Sequence, residues 1–144
     1  MPAVFELPHT VVADEIDRLG HANNLAYLRW MLDAAAAHSR ECGWTTDRYL
    51  ALGAAWVVRS HEIKYLMPAF EGDRLVVRTW VSDLKHFSSL RVYKIVRTSD
   101  RQLLASASTQ WAFIDVAAGS LRRIPPEVLE AFQVVEREAS ADNA

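Results

Sequence analysis

One cysteine, Cys42, is all the chain contains, and that scarcity removes an internal disulfide framework and any multi-cysteine zinc site. A reducing, cytoplasmic setting is the expectation. No segment near the N-terminus joins a basic flank, an apolar stretch and a small-residue cleavage site, and no apolar run is long enough for a bilayer. The chain is therefore expected to be neither exported nor membrane-inserted. An excess of positive charge is missing too: a formal net charge of -2 argues against general nucleic-acid binding. Local basic clusters that hold an anionic cofactor are compatible with that total. Internal repeats, low-complexity tracts and signs of a second domain are also lacking.

What is present describes a soluble globular protein. The 144 residues, 51% hydrophobic and 24% charged, suit one domain with a real core, placed here at residues 1–138 with a frayed tail at 139–144. Val4 to Ala13 reads as a first strand, with Pro8 weakening it or marking an edge. Asn24 to Glu41 holds no Gly or Pro and is rich in Ala, Leu, Met and Trp, so it reads as a helix that Gly43 stops. Its apolar residues cover more than one stripe, interrupted by Arg29, Asp33, His38 and the Ser39-Arg40-Glu41 end. Burial on most sides is the expectation.

Thr46 to Leu52 reads as a short helix or loop. Strand-like segments follow at Ala55 to Leu66, Arg74 to Asp83, Ser88 to Thr98 and Leu103 to Asp115, separated by turn chemistry such as Glu71-Gly72-Asp73 and Ser99-Asp100. Short connections favour an antiparallel sheet. Leu121 to Ile124 suggests a return strand, and Pro125-Pro126-Glu127 opens a last amphipathic helix. The order implies an α+β domain, a sheet curled around one long helix, with edges open enough to expect a homodimer or homotetramer.

Chemistry concentrates in the stretch from Asp17 to Tyr27. It brings a carboxylate (Asp17), an imidazole (His21) and two amides (Asn23, Asn24) to the mouth of an apolar helix. A carboxylate can attack a carbonyl or activate water, and N–H groups at a helix start can polarise a carbonyl oxygen. Each residue has a structural reading beside the chemical one. Asp17 suits a turn that bonds nearby backbone, Asn23 or Asn24 suits a helix cap, and Tyr27 suits packing with its hydroxyl in a polar contact. His21 can orient substrate, shuttle a proton, or simply hydrogen-bond beside the helix.

The pattern D-x-x-G-H-x-N-N-x-x-Y from Asp17 to Tyr27 resembles the hot-dog-fold thioesterases of the 4-hydroxybenzoyl-CoA thioesterase-like group. Supporting elements are Glu62 to Ala69 followed by Gly72-Asp73, and Trp111 to Asp115 leading to Arg123-Ile124-Pro125-Pro126-Glu127, so the resemblance spans nearly the whole chain. It implies hydrolysis of an acyl-CoA thioester, Asp17 serving as nucleophile or general base, with no metal and no cofactor beyond the CoA of the substrate. It also implies that Lys85 and Ser88, with His86, Ser89 and Arg91, form a basic and serine-containing turn able to meet CoA phosphates, although a solvated turn explains them equally.

On the strand from Ala55, neither alternating face is purely apolar, so Ser60, His61 or Glu62 either reaches the site across a subunit interface or marks an exposed charged edge. Cys42 reads as a buried structural thiol. Two other functions remain open: a thioesterase acting on acyl-carrier protein, and a non-catalytic acyl-binding or scaffold protein. A dehydratase on the same fold is disfavoured because no His and acidic pair stands in the helix-start arrangement that chemistry needs. Acyl specificity is not legible.

Overall fold

A computed structural model describes residues 3–135; the expected frayed tail at 139–144 lies outside the described residues. Five strands, β1 (Phe5–Thr10), β2 (Ala54–Tyr65), β3 (Arg74–Leu84), β4 (Ser88–Arg97) and β5 (Gln102–Asp115), form one sheet in the order β1-β3-β4-β5-β2. Every neighbouring pair is antiparallel. Pro8 is tolerated because β1 is an edge strand with β3 as its one neighbour, so a missing backbone donor can face away from the ladder.

The long helix α1 spans Asn24–Glu41. Its start is fixed by Asn23, whose extended backbone and side-chain oxygen cap the Ala26 N–H, and its end by Gly43 at φ 91°, a conformation a side chain disfavours. Tyr27, Trp30, Met31 and Ala34 bury one face of α1 against Leu75, Val77, Tyr93, Ile95 and Leu104 of the sheet. A second cluster joins α2 (Thr46–Ala51) and α3 (Pro126–Ala131) to the sheet through Trp44, Tyr49, Phe113, Ile124 and Val128. Truncating Trp30 or Phe113 to Ala in these clusters costs about 3–5 kcal/mol.

The α+β expectation holds, with strand bounds within a residue or so of those read from turn residues, apart from β1, which is shorter. Three details differ. First, α1 is not buried on most sides: Leu25 is 74% and Leu32 37% exposed, because the sheet covers one flank only. Second, His38 does not interrupt the buried face of α1. It is buried, stacked on Phe5 and meeting Phe132 edge-on, because Arg91 supplies a polar partner. Third, Leu121 to Ile124 forms no return strand, only an isolated bridge between Leu121 and Ile114.

The mixed faces of β2 follow from its place at the other sheet edge. Only its start is well buried, and a bulge lies between Val58 and Ser60, leaving Arg59 without a partner in the β5 register.

Candidate active site at the start of the long helix

The loop before α1 closes on itself. Asp17 N donates to His21 O (2.8 Å), Gly20 N donates to Asp17 O (3.0 Å), and Ile16 bridges Ala22. Gly20 takes φ 85° to complete the turn. Inside it, Asp17 Oδ1 accepts from Leu19 N at 2.8 Å and more distantly from His21 N at 3.4 Å. Asp17 is exposed, and its second carboxylate oxygen has no partner among the described residues. The turn role therefore falls on one oxygen of the carboxylate and leaves the other open to solvent.

Glu15 ties this loop to the helix, and its part was not read from the sequence. Its Oε1 accepts from His9 Nε2 (2.9 Å) and Val12 N (3.1 Å), and its Oε2 accepts from Trp30 Nε1 (2.8 Å). Burial alone would raise its pKa, but the hydrogen bonds from His9, Trp30 and Val12 outweigh that and hold the carboxyl below its ordinary value. Asn23 is fixed by the same segment, its N–H and Nδ2 both donating to Glu15 O at 2.8 and 3.1 Å. A Glu placed where an indole of the next helix can reach it carries no local pattern.

With Asn23 N–H engaged by Glu15 and Ala26 N–H by the cap, the N–H groups of Asn24 and Leu25 are the first-turn donors that bond no described residue. Asn24 borders a cavity of about 250 Å³ together with His21, Ala22, Tyr27, Tyr65, Met67 and Pro68. The positive end of the helix macrodipole faces this space. Next to the lining, Ala22 N donates to Ala69 O (2.8 Å), and the His21 ring meets Phe70 edge-on at 5.7 Å.

Tyr27 is buried and packs edge-on to Tyr65 at 5.1 Å, while the Tyr65 hydroxyl reaches Asn24 O at 3.4 Å. Burial pushes both phenols above their ordinary pKa, so at neutral pH both remain hydrogen-bond donors.

The structure thus gathers His21, Asn24 and Tyr27 around one cavity, with Asn23 as the cap beneath it and Asp17 on the adjoining loop rather than in the wall. Four other sequence-derived residues are not brought there by the same chain. Ser60 and Glu62 are exposed on β2; since Tyr65 and Ile63 pack toward α1, alternation turns Ser60 and Glu62 to the other face. Lys85 and Ser88 lie at the β3–β4 turn, where Ser88 pairs Ala112 and Ala112 pairs Val57. Tyr65 is at the far end of that strand, roughly 27 Å away at ~3.4 Å per residue.

Within the turn, Lys85 pairs with Asp83 at 3.4 Å and Ser89 Oγ donates to Asp83 O. Arg91, grouped with them for phosphate, is instead buried and donates to His38 Nδ1 at 2.9 Å. It sits on the α1 side of β4 with Tyr93 and Ile95, and a charge in that alternating apolar series was the available signal. Half-buried Cys42 fits a structural thiol, its pKa raised by burial.

The family model of the thioesterase-like superfamily matches residues 11–132. The chain belongs to this superfamily. Its fold is the hot-dog fold, and the thioesterase-like domain is similar to several solved structures. A 1,4-dihydroxy-2-naphthoyl-CoA thioesterase from Synechocystis is 21% identical with a TM-score of 0.83, over 89% of this chain and 94% of that one. A DHNA-CoA thioesterase from Staphylococcus aureus is 20% identical with a TM-score of 0.83, over 89% and 87%. A hypothetical protein from Staphylococcus aureus, solved in complex with CoA, is 16% identical with a TM-score of 0.84, over 89% and 80%. No described helix of this thioesterase-like chain is long and apolar enough to cross a membrane.

Proposed function

We propose that this protein hydrolyses acyl-CoA thioesters at the start of α1, without a cofactor beyond the CoA of the substrate. The observation that carries the reading is the pair of N–H groups at Asn24 and Leu25 that bond no described residue, set at the positive end of an 18-residue helix beside a cavity. A thioester carbonyl oxygen placed there gains hydrogen bonds and the helix dipole as negative charge builds on it.

Asp17 supplies the other half through its unpaired oxygen. As a general base it takes a proton from water, the hydroxide oxygen bonds to the carbonyl carbon, and the oxyanion collapses with loss of the C–S bond. The proton then passes to the departing CoA thiolate. As a nucleophile it forms a mixed anhydride with release of CoA thiolate, and water then cleaves the anhydride to regenerate the carboxylate. Tyr27 and Tyr65 line the substrate path, and His21 orients substrate at the rim.

The assembly we propose is a homodimer joined along β2. This strand is an edge of 12 residues with Val57 and Val58 more than a third exposed, which a second copy can cover. Antiparallel pairing of two β2 edges sets the beginning of one strand beside the end of the other. The Lys85 to Ser88 end of one copy then lies at the same end of the joined sheet as the partner's helix start. Ser60 and Glu62 come to the seam, and Lys85 and Ser88 meet the CoA portion.

One observation favours a second reading, acyl binding without hydrolysis: Asp17 Oδ1 is spent on the turn and its carboxylate does not line the cavity. A panel of short, long and aromatic acyl-CoAs assayed with a thiol indicator separates the two. Release of CoA above buffer for at least one substrate supports hydrolysis. Saturable binding of acyl-CoA with no release on any member of the panel supports the binder, and faster release from acyl-carrier protein than from every acyl-CoA shifts the thiol carrier. A sedimentation measurement tests the assembly: wild type should be a dimer, and Val58→Lys should shift it toward monomer.

A further inference from the structure

The second half of α1 borders another cavity, of about 290 Å³, room for roughly ten water volumes at ~30 Å³ each. Its first α1 residue, Leu32, lies about two turns beyond Asn24, ~12 Å along the axis. Exposed Leu32, Ala36 and Leu50 form the mouth. Trp44, Trp56 and Phe132 make apolar walls, and Arg91 stands among them.

Arg91 is only 6% exposed. Its Nη1 donates to His38 Nδ1 (2.9 Å) and Thr79 Oγ1 (3.2 Å), while Nε and Nη2 bond no described residue. Arg has no acceptor, so His38 Nδ1 must accept, which fixes a neutral imidazole with its proton on Nε2. No carboxylate among the described residues pairs with Arg91. The negative end of α1 offers partial charge only. Burial pushes the guanidinium below its ordinary pKa, as desolvation does to a cation that no described carboxylate pairs. The Tyr49 hydroxyl, on a residue of the same wall, is buried near Trp56 and Ser39 and forms no hydrogen bond of good geometry with a described residue.

We propose that this cavity binds an amphipathic carboxylic acid, its carboxylate held by Arg91 and its hydrocarbon or aromatic body by the Trp44, Trp56 and Phe132 walls. The guanidinium fork matches a planar carboxylate, and one positive charge balances one monoanion. A phosphate brings a larger charge into the same apolar walls, at a heavier desolvation penalty. Within one chain the site lies at the other end of α1 from the helix start, and it stands whether or not the protein hydrolyses thioesters.

Octanoate and its neutral counterpart octanamide are the probes, titrated into the full chain by calorimetry and by the fluorescence of Trp44, Trp56 and Trp111, which all line the cavity. Wild type should bind octanoate saturably and octanamide at least about tenfold more weakly. Ala36→Phe, which fills the exposed mouth without touching the buried polar groups, should weaken octanoate by about tenfold or more. Arg91→Met should erase the preference for acid over amide. If Arg91→Met fails to fold, the folded Ala36→Phe variant and the two probes on wild type still decide. Equal binding of acid and amide by wild type, no octanoate binding up to about 10 mM, or wild-type affinity in Ala36→Phe would overturn the proposal.

Discussion

At its first turn α1 faces solvent with the Asn24 and Leu25 N–H groups bonding no described residue and with Asp17 exposed on the adjoining loop. In its last turns it buries His38 against Arg91, beneath the rings of Phe5 and Phe132. Both ends border a cavity of similar size, yet one is built from open backbone donors and the other from a desolvated side-chain cation. Chemistry on water requires groups that water can reach, while recognition of an anion gains from a site where the dielectric is low. On that difference rest the two proposals, reaction at the first end and retention of a ligand at the second.

Among backbone donors at the first end, the largest effect is expected from Asn24→Pro. Proline suits the first helical position, and Asn23 before it already has the extended backbone (φ -75°, ψ 160°) that proline demands. The substitution removes one oxyanion donor and leaves the helix intact. Thioester turnover should fall by about 10²–10³ in kcat, with circular dichroism and melting temperature unchanged. Unaltered kcat would move the oxyanion away from the Asn24 N–H.

The second end is broken by His38→Leu, which leaves Arg91 Nη1 short of an acceptor in a buried place. Chemical denaturation should show a loss of about 1–3 kcal/mol, at the upper end because the donor is charged. Thioester turnover per folded molecule should stay as in wild type. A loss of turnover at constant folded fraction would show that the two ends are not independent.

Much of this contrast was legible at the first end and little at the second. Helix capping and turns are local, so Asn23, Gly43 and the uninterrupted run to Glu41 specify α1 directly, and Asp17 through Asn24 announce the loop. Burial of Leu25, Leu32 and His38 depends on which flank the sheet covers, and periodicity of α1 alone does not carry that. Glu15 and Arg91 reach partners 15 and 53 residues away, and such pairs leave no spacing to read. The exposed charges of β2 and the distance of Lys85 and Ser88 from the helix start depend on strand order, which follows from the whole sheet.

Glu15→Gln sharpens the comparison from the loop side. Because the folded carboxyl titrates below its ordinary value, its contribution is complete above that ordinary value and disappears as pH falls through the lowered folded value. The variant should lose about 1–2 kcal/mol near neutrality, and its stability should depend less steeply on pH in the acid range. Equal acid slopes for both proteins would remove Glu15 as an anchor of the loop. The smallest effect is expected for Asn23→Ala, about 1 kcal/mol by thermal or chemical unfolding, with Asn23→Ser recovering most of it.

Asp17 carries the account's central claim, and the rate of CoA release by Asp17→Asn against wild type tests it most directly. Asparagine keeps a side-chain oxygen for the Leu19 and His21 N–H groups, so the turn and the melting temperature should survive. The account predicts a fall in kcat of about 10²–10⁴ on the best acyl-CoA. Wild-type kcat in a folded Asp17→Asn protein would contradict it and leave Asp17 as a turn residue.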